Sequence, residues 1–184
     1  TIKNGKSAIV LIPEIALTYQ TVMRFTRRFK EKVSIVNSRM SAGEKYDQFE
    51  RAKKGEISIM IGPRSALFTP FKNLGLIVID EEHESAYKSE SVPKYHAIEV
   101  AQKRGVDTGA AIVLGSATPS LESYYRAKKG IYKFHKLTSR EKGNLPTVSI
   151  VDLREELKND NKSIFSVKLS ELIKSNPELE PIIN

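Results

Sequence analysis

Three carboxylates follow a run of apolar residues in the stretch L-I-V-I-D-E-E-H, residues 76–83. An aspartate held at a strand end, here Asp80, can bind Mg²⁺, usually through water, because this ion keeps much of its hydration shell. The adjacent Glu81 can orient or deprotonate an attacking water while the metal offsets charge developing on a phosphoryl group. Glu82 and His83 complete the motif. The alternative is an acidic turn that caps a helix, but the apolar run directly before the carboxylates favours phosphoryl-transfer chemistry.

Two hydroxyl side chains end another apolar run, in G-S-A-T at residues 115–118. Ser116 and Thr118, with Ala117 between them, could hydrogen-bond to the acidic cluster or to a partner lobe and so report the state of a bound nucleotide. Thr118 followed by Pro119 is also a typical helix start, with threonine as the N-cap and proline at the first helical position. Both interpretations can hold, because capping by Thr118 would leave Ser116 free.

Polar residues also follow two further apolar runs. P-E-I-A-L-T after residues 8–12 supplies Pro13, Glu14 and Thr18 as candidates for contacting nucleic acid. In G-P-R-S after residues 57–61, Arg64 and Ser65 offer a guanidinium and a hydroxyl that suit a backbone phosphate, although Arg64 could equally be an ordinary surface arginine. Ligands of open α/β sheets bind at the carboxyl ends of the strands, so we expect all four motifs on one functional edge.

A long segment broken by proline, H-E-S-A-Y-K-S-E-S-V-P-K-Y-H at residues 83–96, follows the acidic motif. Its aromatic and basic side chains could stack on bases and pair with phosphates. The segment includes Tyr87, Lys88, Tyr95 and His96. A metal site on His83 and His96 is disfavoured, because their spacing matches no familiar ligand set and the chain has no cysteine to support them.

The elements that would position these residues alternate between strands and helices. Continuous Val/Ile/Leu runs are typical of parallel strands buried on both faces, and they predict strands at residues 8–12, 33–36, 57–61, 76–79 and 111–114. Helices are predicted over residues 18–31 and from a capping box at Ser41 and Glu44 to about Lys53, with Gly55 ending the second helix. This alternation predicts a doubly wound α/β domain. After residue 130 the pattern weakens: residues 133–137 and 148–151 could be strands and 167–175 a short helix.

The letters G-K-S at residues 5–7 look like the end of a phosphate-binding loop, which would cradle a nucleotide. Such a loop leaves a strand and starts a helix. Here the three residues lead directly into the apolar run at 8–12. We therefore expect them to enter a strand instead of binding phosphate.

Composition restricts the class of partner. The 184 residues include 30 Lys and Arg against 22 Asp and Glu, for a net charge of +8 and a pI near 9.5. This balance favours a polyanion, most plausibly nucleic acid, over the alternative of a generally basic surface. The chain has no cysteine, which excludes a disulfide scaffold and suits a cytosolic protein. No apolar run approaches the roughly 20 residues of a membrane span, and no signal-peptide pattern is present.

Taken together, V-L-I-P-E-I-A-L-T, P-R-S-A-L-F-T-P-F, D-E-E-H-E-S-A-Y-K and V-L-G-S-A-T-P-S-L-E-S-Y resemble the bacterial replication-restart helicases of superfamily 2. The resemblance runs from about Gly5 to Asp152. It implies a RecA-like, doubly wound, mainly parallel sheet, truncated at the N-terminus before the phosphate-binding loop. Residues 1–152 would then be the first motor lobe without its Walker A segment, and residues 153–184 a lobe-linking or C-terminal extension.

The resemblance also implies an ATP-driven DNA helicase that moves 3′ to 5′ in replication restart and primosome assembly. Asp80 and Glu81 would be the Walker B pair, and residues 116–118 would couple hydrolysis to strand separation. Residues 13–18 and 64–65 would be DNA-contacting motifs, and residues 87–96 the aromatic-rich loop that links DNA binding to hydrolysis. One departure is Pro63, where the family usually has threonine; proline lacks that hydroxyl and its backbone donor.

The implied cofactors are ATP and Mg²⁺, with zinc expected only in a region outside these residues. The implied partners are forked DNA, single-stranded DNA-binding protein and other primosome proteins, in a nucleoid-associated cytoplasmic location. Because such an ATP site closes between two lobes, we expect the 184-residue chain alone to hydrolyse ATP negligibly. The alternatives are another superfamily 2 DNA or RNA helicase, against which the aromatic loop argues, and a non-catalytic nucleic-acid-binding module, against which the intact D-E-E-H and S-A-T argue.

Overall fold

Five parallel strands form the sheet of the larger of two units. The computed structural model describes residues 1–137 and 147–175, and the chain divides into the units Thr1–His135 and Lys136–Asn184. The strands are β1 (Ser7–Leu11), β2 (Val33–Ile35), β3 (Ile59–Gly62), β4 (Leu74–Ile79) and β5 (Ala111–Leu114). Their order is β2-β3-β1-β4-β5, and every pair of neighbours is parallel. The predicted α/β class with a parallel sheet is confirmed.

Helices connect the strands and form the described part of the smaller unit. Those of the larger unit are α1 (Tyr19–Phe29), α2 (Ala42–Lys54), α3 (Ala97–Thr108) and α4 (Leu121–Lys128), and those of the smaller unit are α5 (Leu153–Lys158) and α6 (Val167–Lys174). Short 3₁₀ turns lie at Ile2–Asn4, Glu14–Ala16, Lys30–Lys32, Arg64–Phe68 and Ser85–Tyr87. Among the described residues, no helix combines the length and apolar character needed to cross a membrane.

Strand β1 lies at the centre of the sheet, and its side chains alternate between two apolar clusters. Ile9 and Leu11 are fully buried in one cluster, whereas Val10 lies in the other together with Phe25 and Phe29 of α1. Successive side chains of a strand point to opposite faces, so both faces of the sheet are covered here. Residues 8–12 are therefore all apolar because both faces of the sheet are covered, as the sequence predicted.

The order of strands reverses between β1 and β4. The chain places β2 and β3 on one side of β1, and β4 and β5 on the other. The crevice beyond the carboxyl ends of the strands at such a reversal is the usual ligand site of open α/β sheets. The backbone N–H of Asp80 donates to the carbonyl of Leu11 at 2.9 Å, so the acidic motif and Pro13 leave neighbouring strand ends.

Two glycines shape the ends of the central strands. Gly5 has a φ of 70° and ends the first 3₁₀ turn, after which Ser7 begins β1, so G-K-S enters a strand as predicted. At Gly62, the end of β3, a Cβ atom would stand 2.5 Å from the carbonyl oxygen of Val36. Glycine at position 62 thus permits a close backbone approach beside the Pro63-Arg64 turn.

The helix after β5 begins later than predicted. Its N-cap is Ser120, whose hydroxyl accepts a hydrogen bond from the Ser123 N–H at 3.3 Å. Thr118 is not the cap, because its own N–H donates to the hydroxyl of Ser116 at 3.0 Å and holds residues 116–118 in a separate turn. α4 therefore starts at Leu121.

Three other predictions are wrong for local reasons. β5 is not buried on both faces: Ala111 and Val113 are exposed, because β5 pairs only with β4 and forms the edge of the described sheet. Residues 133–137 and 148–151 form no strand. α3 lies where no helix was predicted; its buried Ile98 and Ala101 follow a helical spacing, and the left-handed Gly109 ends it.

Candidate nucleotide and nucleic-acid site

The acidic motif forms a sharp turn directly after the buried strand β4. Ile79 is fully buried, whereas the next residue, Asp80, is exposed at the carboxyl edge. Glu81 has a φ of 48°, in the left-handed region that non-glycine residues rarely adopt. Such strained backbone is concentrated at functional sites, where the surrounding structure holds it in place.

The two carboxylates of this turn are available to a ligand. One oxygen of Asp80 accepts the Glu81 N–H at 3.1 Å, and the Glu81 side chain is 43% exposed. The described residues contain no group of three or more side chains able to hold a metal ion. A Mg²⁺ ion at Asp80 would therefore take its other ligands from water and substrate phosphates, as Mg²⁺ does in phosphoryl-transfer sites. These residues fit that ion.

The hydroxyl motif lies beside the acidic motif, as the sequence predicted. Ser116 Oγ and His83 Nδ1 share a hydrogen bond of 2.8 Å, and His83 Nδ1 lies 3.7 Å from a carboxylate oxygen of Glu81. Ala117 and Thr118 are exposed on the same turn. Ser116 thus contacts the side chain that borders Glu81.

Glu82 is buried, with 3% of its surface exposed, and its carboxylate accepts three hydrogen bonds from the start of α4. Its Oε1 accepts the Ser120 N–H at 2.7 Å, and its Oε2 accepts the hydroxyls of Ser120 at 3.1 Å and Ser123 at 2.8 Å. The backbone N–H of Glu82 donates to the carbonyl of Gly115 at 3.0 Å. Nothing in the local sequence distinguishes this glutamate from its two acidic neighbours.

The predicted aromatic-rich loop folds back onto the acidic turn. Tyr87 is 1% exposed and its hydroxyl donates to the backbone carbonyl of Asp80 at 2.6 Å. Burial and the nearby carboxylates of Asp80, Glu81 and Glu84 raise the pKa of Tyr87 above its ordinary value, so the ring stays neutral. The buried Tyr87 ring therefore offers no exposed face on which a base could stack, while the coupling role of the loop stays a prediction.

The other candidates of this loop lie at its base. Lys88, which is exposed, forms an isolated antiparallel bridge with His96, and the Tyr95 ring packs edge-on against Phe68 with centroids 5.3 Å apart. The His96 ring accepts the Ile98 N–H through Nδ1 and caps α3. The sequence did not predict that His96 caps a helix.

A cleft of about 270 Å³ brings together the predicted nucleic-acid residues of the β1 and β3 ends. Its lining includes Pro13, Glu14, Arg64 and Ser65, together with Ser38, Lys45 and Tyr87. Thr18 does not line the cleft; its hydroxyl accepts the Thr21 N–H at 3.3 Å and caps α1. Lys45 was missed by the sequence analysis, because nothing in the helical pattern of α2 marks which of its lysines faces the sheet edge.

Two side chains of the cleft are already held by backbone groups. Glu14 accepts the Ser38 N–H at 2.5 Å; hydrogen bonding to Ser38 lowers the pKa of Glu14, with a smaller contribution from the charge of Lys45. Arg64 donates to the carbonyls of Ala86 at 2.9 Å and Lys88 at 3.1 Å. Arg64 therefore joins the cleft to the aromatic-rich loop and is not a free surface arginine.

Comparison with known proteins gives consistent matches. A family profile described as DEAD/DEAH box helicase matches residues 1–127. Replication restart protein PriA of Bacillus subtilis is 54% identical over 169 residues, 91% of this chain and 21% of that protein. PriA of Chlamydia pneumoniae is 49% identical over 168 residues, 90% of this chain and 22% of that protein. The chain thus spans about a fifth of the length of these relatives, and the resemblance to replication-restart helicases is confirmed.

Among solved structures, the C-terminal domain of S. cerevisiae Dbp5 bound to Gle1 and IP6 matches with a TM-score of 0.45 and 14% identity. The match covers 69% of this chain and 71% of that one. The score is too low to support any conclusion.

Proposed function

Because the chain belongs to the DEAD/DEAH box helicase family, we propose that it is part of an ATP-dependent DNA helicase that moves 3′ to 5′ and acts in replication restart. The observation that carries the proposal is the acidic turn after β4. There Asp80 is exposed, and His83 lies between Glu81 and Ser116. The relatives named as replication restart proteins support the choice of process.

Each residue of the turn has a distinct task in this proposal. Asp80 would hold Mg²⁺ through water, and Glu81 would orient the attacking water and accept its proton. The metal, when bound, offsets negative charge on the transferred phosphoryl group. Through the contact of His83 with Ser116, a change at Glu81 would alter the position of the exposed residues Ala117 and Thr118.

ATP hydrolysis of this kind requires a phosphate-binding loop and a second lobe. Residues 5–7 do not supply the loop, because they enter β1. We therefore expect the 184-residue chain to hydrolyse ATP negligibly by itself, and strong DNA-stimulated hydrolysis by this chain would contradict that expectation.

Two surfaces support a nucleic-acid partner. The cleft lined by Arg64, Ser65 and Lys45 combines cationic and hydroxyl groups, the side chains that commonly bind phosphates. The outward face of α1 carries Arg24, Arg27 and Arg28, all exposed and opposite the apolar residues that face the sheet. None of these three arginines pairs with a carboxylate among the described residues. Neutralising phosphates is a task that fits these groups.

The deciding experiment is Glu81→Gln in the complete protein. Amide replaces carboxylate at nearly constant shape, so ATP should still bind while DNA-stimulated hydrolysis falls by about 10²–10⁴-fold. Glu31→Gln, a change at an exposed acid of the Lys30–Lys32 turn, is the matched control and should leave turnover unchanged. Unchanged turnover in Glu81→Gln would refute the assigned role.

Strand polarity separates the proposed motor from other helicases of the superfamily. Duplexes with a single-stranded tail on either the 3′ or the 5′ side should be unwound only when the tail permits 3′ to 5′ movement. Binding of both duplexes without ATP-dependent unwinding would indicate a non-catalytic module. Contacts with single-stranded DNA-binding protein and other primosome proteins, and a nucleoid location, belong to the same proposal.

A further inference from the structure

The third residue of the acidic motif has an environment unlike that of its two neighbours. Asp80 and Glu81 reach solvent, whereas the Glu82 carboxylate is buried and all of its described contacts come from the Ser120 backbone and the Ser120 and Ser123 hydroxyls. No described cationic group forms a salt bridge with it. Three hydrogen-bond donors at the start of α4 contact the carboxylate instead.

These bonds connect the acidic turn to one particular helix. Ser120 is the N-cap of α4, and Ser123 lies in its first turn. Because Glu81 and Glu82 are adjacent, the hydrogen bonds of Glu82 link the start of α4 to the backbone that carries Glu81. The outer side of α4 presents Leu121, 84% exposed, and Tyr125, 60% exposed, so another body can reach this helix.

We propose that Glu82 is a positioning residue that transmits movement of α4 to Asp80 and Glu81, in addition to the contact between His83 and Ser116. This inference rests on the proposed function, because the transmitted movement matters only if Glu81 supports hydrolysis. Glu82 neither donates nor accepts a proton in the reaction. Its task is mechanical: it keeps the start of α4 and the acidic turn in one rigid arrangement.

The test compares three single variants and one double variant of the complete protein by the ratio of DNA-stimulated to basal ATP turnover. Glu82→Ala removes the acceptor of all three bonds, and Ser123→Ala removes one donor at the far end. Both should lower the ratio by about 5-fold or more, a typical size for coupling between sites. Glu82→Gln keeps the shape and an acceptor for the Ser120 N–H, and should restore most of the ratio. Adding Ser123→Ala to Glu82→Ala should cause little further reduction, because the two residues share one hydrogen bond.

A measurement independent of activity accompanies these assays. Hydrogen exchange at the Ser120 amide should accelerate in Glu82→Ala and remain slow in Glu82→Gln, at equal melting temperature. Absence of hydrolysis in the unmodified protein would refute the proposed function. The exchange result would still show whether Glu82 holds the start of α4. If Glu82→Gln is as inactive as Glu81→Gln, Glu82 has a chemical role and the positioning role is refuted. Full retention of the ratio in both Glu82→Ala and Ser123→Ala would refute it as well.

Discussion

Replacing Tyr87 by Phe tests how the aromatic-rich loop is attached to the acidic turn. The variant keeps the buried ring and removes only the hydroxyl, which donates to the Asp80 carbonyl at 2.6 Å. At pH 7 the removal of this hydrogen bond should reduce the free energy of unfolding by about 1 kcal/mol. With a typical urea dependence of about 1–3 kcal/mol per M, the midpoint of unfolding should fall by roughly 0.5 M.

Because of the same hydroxyl, we expect the difference in the free energy of unfolding between the two proteins to reverse at high pH. Burial, followed by the charges of Asp80, Glu81 and Glu84, raises the pKa of Tyr87 in the folded state above the ordinary value of about 10. Above that pH the unfolded chain loses a proton from Tyr87 that the folded chain retains, so the unmodified protein loses stability relative to Tyr87→Phe. The decrease approaches about 1.4 kcal/mol per pH unit, so the two proteins should become equally stable at roughly pH 10.5–11.

Urea unfolding of both proteins between pH 7 and pH 11, followed by circular dichroism, measures the difference directly. Tyr46→Phe is the control, because Tyr46 is 63% exposed and should give no difference at any of these pH values. A difference between Tyr87→Phe and the unmodified protein that stays constant up to pH 11 would show that Tyr87 does not keep its proton in the folded state. No difference at pH 7 would show that the hydrogen bond does not stabilise the fold.

Two further predictions concern the fold and the nucleic-acid surface. Gly62→Ala should destabilise the protein by about 1–3 kcal/mol in urea unfolding, because the new Cβ would stand 2.5 Å from a backbone carbonyl. Gly43→Ala is the control; it lies at a helical position where a Cβ meets nothing within 4 Å, and it should be neutral or slightly stabilising. Equal effects of the two substitutions would contradict the close approach at Gly62. Replacing Arg24 and Arg27 by Gln in the complete protein should make DNA binding less dependent on salt, with the slope of log K against log salt reduced by about 1 for each phosphate that the protein no longer neutralises. Replacing Lys53 and Lys103 by Gln, which removes two cations already paired with carboxylates at 3.5 and 2.8 Å, should change the slope less, and an equal change would indicate a general charge effect.

The sequence predicts the strands and the functional edge well because both depend on short, local signals. A continuous apolar run needs helices on both sides, and polar residues directly after it must lie at the carboxyl edge of a parallel sheet. Ser116 lies near the acidic motif for this reason, as predicted. The same pattern misleads for β5, whose apolar run lies at an edge, because the residues of a strand do not determine its position in the sheet.

The sequence could not predict contacts between side chains and segments that are distant in the chain. Glu82, Arg64 and Tyr87 were predicted as site residues, and each also forms a hydrogen bond with another segment of the same chain. Their types do not indicate which segment lies opposite. α3 was missed because its buried Ile98 and Ala101 form only a weak stripe and its N-cap, His96, is not one of the favoured capping residues.

The central place of β1 has a consequence for the order in which the sheet can assemble. Ala8 pairs with Ile59 on one side and with Leu76 on the other, and both partners come much later in the chain. Non-local pairing of this kind slows folding, because loop closure must be completed before the contacts form. During synthesis both edges of the apolar strand β1 therefore remain unpaired until β3 and β4 have emerged. Until then β1 can aggregate with other chains or bind chaperones.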